Sequence, residues 1–353
     1  MRRRELLTAA VVAALPWRRL RAATGWRTFE LTTRAEILKA EGVSRAWLPV
    51  PLATDTEWQR GAVNTWTGNA ARAEVMRATK YGVSMLYVEW AAGQKAPFVE
   101  LKSRVATRDR AADFSGRSAP SLSRAESALY TAPTETIPCD GLVRETALLR
   151  MAKGARTDLE KGRRIYDWIV ENTFRDPKTR GCGTGNVKAM IETGNYGGKC
   201  ADLNGLFVAF ARSLGIPARD VYGIRVASSA HGYKSLGTSS PVISKAQHCR
   251  AEFFADGVGW VPVDPADVRK VVLEESPGKF EPTDLRVAAA RERLFGSWEM
   301  NWVAFNTGHD VPLSGSSGPQ VPFLMYPNAE TGGERLDQLD PDGFRYAITA
   351  REV

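Results

Sequence analysis

The feature that most constrains this chain is a cysteine placed at the mouth of a helix. Residues 195–226 read NYGGKCADLNGLFVAFARSLGIPARDVYGIRV. Leu203, Leu206, Phe207, Phe210 and Leu214 recur at spacings of three and four, the pattern of a helix with one buried face. Gly215 and Pro217 mark its end. Cys200 therefore falls at or just before the helix N-terminus, where unpaired backbone N–H groups and the positive end of the dipole favour thiolate over thiol. Gly197 and Gly198 are expected to leave the backbone bare on the side from which a substrate carbonyl would approach. The same placement suits a buried structural cysteine, so the partners that chemistry requires must be sought elsewhere.

A cysteine nucleophile needs a histidine base, and the base needs an acceptor to orient it. The chain has three histidines, His231, His248 and His309. His248 opens QHCRAEFFADGVGWVPVDPAD, two runs of strand-forming residues about an Asp256-Gly257 turn, which reads as a hairpin. With residues 255–257 as the loop, Phe254 pairs with Val258, and His248 falls opposite Asp264 on the return strand. Cross-strand neighbours have Cβ atoms roughly 5 Å apart, within reach of an aspartate that orients an imidazole. His309, beside Asp310, is a rival base without the hairpin. His231 lies in a Gly/Ser-rich loop and reads as exposed.

The order is cysteine on a helix start, histidine on a strand and aspartate on the next strand. With the words GGKCADLNGLFVAFARSLGIPARDVYGIRV, QHCRAEFF and GWVPVDPADVRK, it resembles the core of the transglutaminase-like superfamily. That papain-like group includes eukaryotic transglutaminases, peptide N-glycanases and many bacterial relatives, and the resemblance covers about residues 140–270. It implies an α+β fold in which a helix bearing Cys200 packs on an antiparallel sheet bearing His248 and Asp264. It also implies Cys200 as nucleophile, His248 as general base and acid, and Asp264 as orienter. It does not fix the reaction, because the superfamily holds proteases, amide hydrolases, crosslinking acyltransferases and inactive members.

An acyl-transfer site also needs an oxyanion hole. The backbone N–H of Cys200 is one expected donor. For the second, Trp168, Asn195 and Tyr196 are open, each with a structural role as the competing explanation. Asp202, Asn204 and Arg219 lie near the triad in sequence, where capping and ion pairing account for them as well as gating does. Cys139, Cys182 and Cys249 are the other cysteines. In an exported protein a Cys182–Cys249 bridge is one arrangement, though spacing does not fix connectivity. Zinc on Cys182, Cys200, His248 and Cys249 is the competing idea, but the spacings match no zinc pattern. No metal or cofactor is expected.

The formal charge of +8 is unevenly placed. Residues 1–23 hold six arginines and one glutamate, a net of +5, so +3 remains for the rest. No basic stripe interleaved with aromatics is present, which argues against a nucleic-acid partner. Met1 to Ala23, with Arg2-Arg3-Arg4 before a short apolar run, reads as a cleaved signal peptide of twin-arginine type. An uncleaved anchor or a plain basic N-terminus is the alternative. A periplasmic or extracellular protein, touching the membrane only through export, is the expectation.

Residues 24–110 read as a β-rich domain of sandwich type. Pro49 and Pro51 confine their strand to an edge or cut it short, and Trp47, Trp58, Trp66 and Trp90 serve either as packing or as a binding surface. Residues 111–138 read as a linker, 139–275 as the catalytic core, and 276–353 as a C-terminal extension that completes the core or covers the cleft. Within the core, Thr157 and Glu160 form a capping-box pattern before an amphipathic helix. The functional expectation is a cysteine-dependent acyl-transfer enzyme that attacks peptide or isopeptide amides through a thioester, with a protein or peptide as substrate. The alternatives are a non-catalytic envelope scaffold of the same fold and a protein-crosslinking transglutaminase.

Overall fold

The computed structural model describes residues 25–115, 121–275 and 278–353. The arginine-led segment read as a signal peptide lies outside the described residues. Two sheets build the N-terminal part. One runs Phe344–Glu352, Arg27–Ile37, Phe98–Thr107, Gln59–Gly68; the other runs Glu334–Arg335, Asn328–Thr331, Ser44–Pro49, Ser84–Trp90, Arg72–Arg77. Alternating apolar positions turn inward from both, and Ile37, Leu48, Leu86, Val88, Trp90, Val99, Leu101 and Phe344 meet in one core. Trp47, Trp58 and Trp90 are buried, so of the four tryptophans only Trp66 is exposed. The strand Ser44–Pro49 stops at its proline, yet it is interior to its sheet, between Asn328–Thr331 and Ser84–Trp90.

Both sheets take strands from the far end of the chain. Phe29 pairs with Glu352 and Ile37 with Phe344, and Trp47 pairs with Asn328. The C-terminal segment thus completes the β-sandwich as well as the catalytic core, to whose sheet it adds the strand Trp302–Asn306, and part of it also walls the cleft described below. The stretch expected to be a linker contains the helix Arg124–Thr131, closed by a reciprocal cap between Ser123 and Glu126.

The core sheet has the order Gly259–Val263, Gln247–Ala255, Ala218–Arg225, Trp302–Asn306, all antiparallel. The helix Cys200–Ser213 lies buried along its whole length between this sheet and the helix Asp158–Asn172, which is capped at its start by Thr157. Phe207 meets Phe253 of the sheet, while Phe210 meets Trp168. Phe29, Leu31, Val105 and Ile348 of the sandwich pack against Ile224, Val303 and Phe305 of the core sheet, so the two parts share an apolar seam. No helix among the described residues is long and apolar enough to cross a membrane.

Candidate functional site

Cys200 is the first residue of its helix. The residue is 3% exposed, and its sulfur lies 4.0 Å from the Cys182 carbonyl. The backbone N–H of Cys200 has no acceptor among the described residues, as expected for the first turn of a helix. Asp202 organises that turn: its carboxylate accepts from the N–H of Lys199 at 2.9 Å and from those of Thr184 and Gly185 at 3.0 Å. The paired glycines are explained by this packing rather than by substrate approach. A Cβ on Gly198 would meet Asp202 at 2.6 Å, and one on Gly197 would meet the ring of Phe174 at 2.4 Å.

His248 is the second residue of the strand Gln247–Ala255. Its Nε2 lies 2.7 Å from Asp264 Oδ2, which leaves Nδ1 as the ring nitrogen available to Cys200, whose thiol His248 helps to acidify. Trp302 Nε1 donates to the His248 carbonyl at 2.9 Å and fixes the backbone behind the ring.

The way Asp264 reaches the imidazole differs from the expected pairing. The hairpin pairs Phe254 with Trp260 and Ala251 with Val263, a register two residues from the expected one, and its loop is 256–258. Continued, it would set Asp264 level with Arg250 rather than His248. A two-residue slip keeps each side chain on its face, whereas a slip of one would have reversed it. The return strand also ends at Val263, and Asp264 is the N-cap of the helix Pro265–Glu274. Asp-Pro-Ala-Asp is a sequence signal for this start, with a capping aspartate followed by proline at the first helical position. One carboxylate oxygen, Oδ1, accepts from the Asp267 N–H at 3.1 Å and from Asn204 Nδ2 at 3.3 Å, leaving Oδ2 for His248.

A buried charge network surrounds this pair. Arg225 donates to both oxygens of Asp267 at 2.6 and 2.8 Å, and Asp267 stands 3.5 Å from His248 Nε2. Arg250 lies 3.6 Å from Asp264. Burial pulls the Arg250 guanidinium down to about 10, against the pull of Asp264. For His248, burial and the charge of Arg225 press the pKa down, but Asp267 and Asp264 outweigh them and the imidazole titrates above its ordinary range. The Cys200 thiol is held well below its usual value: hydrogen bonds from Cys182 and then Cys249 favour the thiolate, burial opposes, and the hydrogen bond and charge of His248 reinforce the effect.

All four cysteines are free, so no Cys182–Cys249 bridge forms. The Cys182 thiol instead donates to the Gln247 carbonyl at 3.2 Å. His248, Asp264 and Asp267 could offer three ligand atoms to a metal, all within 4.8 Å. There, however, a cation would compete with Arg225 for Asp267.

Cys200 and His248 line a cleft of about 700 Å³, within the usual range for ligand sites. Tyr326, Leu339, Phe344 and Tyr346 from the C-terminal segment form an apolar wall. Of the three residues left open for the second oxyanion donor, Trp168 and Tyr196 line a separate depression, and Asn195 spends its side chain on the Gly197 N–H. A different side chain stands at the cleft. Gln247, 7% exposed, presents an Nε2 with no hydrogen-bond partner. Sequence reasoning passed over it because an orphaned amide is defined by its tertiary surroundings. Arg219 pairs with Glu252 and lies over Trp260, and Asn204 bonds the Cys249 carbonyl, so both are structural. His309 is buried away from the cleft, and His231 is exposed.

A family model described as the transglutaminase-like superfamily matches residues 146–265, a span that contains Cys200, His248 and Asp264. An uncharacterized protein of Haemophilus influenzae is 34% identical over 336 residues, covering 89% of this chain and 88% of the relative. Among solved structures, a proposed cysteine protease from Cytophaga hutchinsonii superposes with a TM-score of 0.55 at 16% identity, over 94% of this chain and 92% of that one. At that identity the likeness is one of fold. The periplasmic domain of TgpA from Pseudomonas aeruginosa also matches, with a TM-score of 0.32 at 16% identity, over 66% of this chain and 90% of that one.

Proposed function

Because the chain belongs to the transglutaminase-like superfamily, we propose that it is a cysteine-dependent hydrolase of peptide or isopeptide amide bonds, working through a thioester on Cys200. The observation that carries this reading is the chain of contacts from Asp264 to His248 to the Cys200 sulfur, in which every charge has a partner.

The steps follow from that geometry. The Cys200 thiolate attacks the amide carbonyl carbon, and the oxyanion that forms accepts hydrogen bonds from the Cys200 N–H and from Gln247 Nε2. The imidazolium of His248 gives its Nδ1 proton to the amide nitrogen as the C–N bond breaks, and an amine leaves. Asp264 keeps the ring oriented and stabilises its positive form. Water then loses a proton to His248 and attacks the thioester. The carboxylic acid departs, and the thiolate–imidazolium pair is restored. An amine in place of that water would yield a new amide instead.

The test is to incubate the protein with a complex peptide mixture and follow new amines and carboxylates by mass spectrometry, with Cys200→Ala as the blank. Cleavage that depends on Cys200, with an acyl adduct on Cys200 after rapid acid quenching, supports the proposal. New amide crosslinks without free acid would favour transfer, and neither product would favour a scaffold. We also place the protein outside the cytoplasm on the strength of the arginine-led N-terminal segment. Retention of a reporter fused to residues 1–30 inside the cell would contradict that placement.

A further inference from the structure

The cleft above Cys200 is lined by six cationic side chains, Arg175, Arg180, Lys199, Arg225, Lys245 and Lys270. No aspartate or glutamate among the described residues lines it. Three acids just outside answer part of this charge: Asp267 pairs with Arg225, Glu274 is shared by Arg175 and Lys270, and Asp337 pairs with Arg180. Six cations against three acids leave a surplus of +3. Cationic side chains therefore outnumber the acids that pair with them at this cleft.

Lys199 and Lys245 enter no ion pair among the described residues. Lys199 directly precedes the nucleophile, half-buried, and Lys245 stands exposed three residues before His248. These two lysines without an ion-pair partner line the same cleft as Cys200 and His248. Concave low-dielectric walls concentrate such a field and raise the local concentration of oppositely charged ligands.

We infer that the cleft takes an acidic peptide segment, with carboxylates near the amide to be cleaved engaged by Lys199 and Lys245. This rests on the hydrolase reading above and names its substrate class. A basic segment would meet the like charges of both unpaired lysines, and a wholly apolar one would leave them unused.

The experiment measures modification of Cys200 by iodoacetate, a carboxylate probe, against iodoacetamide, its neutral counterpart. The ratio of rates is compared with that of free cysteine. Exposed ion pairs are each worth about twofold to fivefold, so two lysines predict a ratio roughly tenfold above the free-cysteine ratio, falling in about 0.5 M salt. The ratio should also fall severalfold in the double variant Lys199→Gln/Lys245→Gln. In a second arm, a Glu-rich octapeptide should protect Cys200 from iodoacetamide where Gln-rich and Lys-rich octapeptides do not. A ratio at the free-cysteine level, one unchanged in the double variant, or protection that ignores peptide charge would overturn the inference. Better protection by an oligonucleotide than by the acidic peptide would do the same. Slow iodoacetamide labelling at about pH 6 would instead count against the thiolate itself, a result distinguishable from the rate ratio.

Discussion

The molecule buries two histidine–aspartate pairs to the same degree and leaves them in opposite states. His248 and Asp264 are 4% and 0% exposed; His309 and Asp220 are each 1% exposed. The first pair closes to 2.7 Å, the second only to 3.4 Å. Around the first stand Arg225, Arg250 and Asp267, with N–H donors for the spare oxygen of Asp264. Around the second, both oxygens of Asp220 and Nε2 of His309 lack hydrogen-bond partners among the described residues. Burial accordingly pushes the Asp220 carboxyl up to about 8, only partly offset by Arg212, and pushes the His309 imidazole well below its ordinary value. The lesson is that burial by itself neutralises such a pair. An ion pair fit for proton transfer exists where neighbouring charges and backbone donors answer the desolvation.

The largest effect should come from substituting the two histidines in parallel. His248→Ala should lower kcat/KM on a cleaved peptide by about a thousandfold or more, as removal of a catalytic base does. His309→Asn should change turnover per folded molecule by less than about threefold, because it touches neither substrate nor sulfur. Equal losses in the two variants would break the comparison. Next comes Arg225→Met, which leaves Asp267 buried without its cation. Urea unfolding should show a loss of about 3–5 kcal/mol, the cost typical of halving a buried ion pair.

Asp220→Asn sharpens the contrast through pH. With its folded pKa raised to about 8, Asp220 holds a proton in the folded state that the unfolded chain releases near 4. Its contribution is fully present below about pH 4 and is lost as pH rises toward 8, at up to about 1.4 kcal/mol per pH unit. The asparagine variant should abolish that slope, so its stability relative to the parent should improve from pH 5 to pH 8 in urea titrations. His309 has the opposite sign: with a depressed folded pKa, its contribution is present above about pH 6.5 and declines as pH falls. The smallest effect belongs to Cys182→Ala. Removing Cys182, the largest influence holding the Cys200 thiol low, should shift the Cys200 alkylation profile toward higher pH and slow labelling at pH 6 by roughly twofold to tenfold, about the worth of one hydrogen bond.

How much of this was legible in the sequence depends on the range of the interaction concerned. The helix after Cys200 could be read because its apolar period and its Gly215–Pro217 stop are local. His248 and Asp264 could be associated because a hairpin brings near neighbours together, and the two-residue error in register was harmless to face. That Asp264 caps a helix was also written locally, in Asp-Pro-Ala-Asp, but was obscured by reading the strand one residue too far. The pairing of Arg27–Ile37 with Phe344–Glu352 joins segments over 300 residues apart and has no local signature. Gln247 and the three-thiol cluster belong to the same class, because a missing partner or a shared sulfur is visible only after the chain has closed on itself.

The central claim is that His248 and Cys200 rest as an imidazolium–thiolate pair. The direct measurement is the rate of Cys200 alkylation by iodoacetamide across pH, in the parent and in His248→Ala, with Cys139, Cys182 and Cys249 followed separately by mass spectrometry. The account predicts rapid labelling of Cys200 at about pH 6 that is lost in His248→Ala. Labelling that rises only near the free-thiol pKa of ~8.5, unchanged by the substitution, would contradict it.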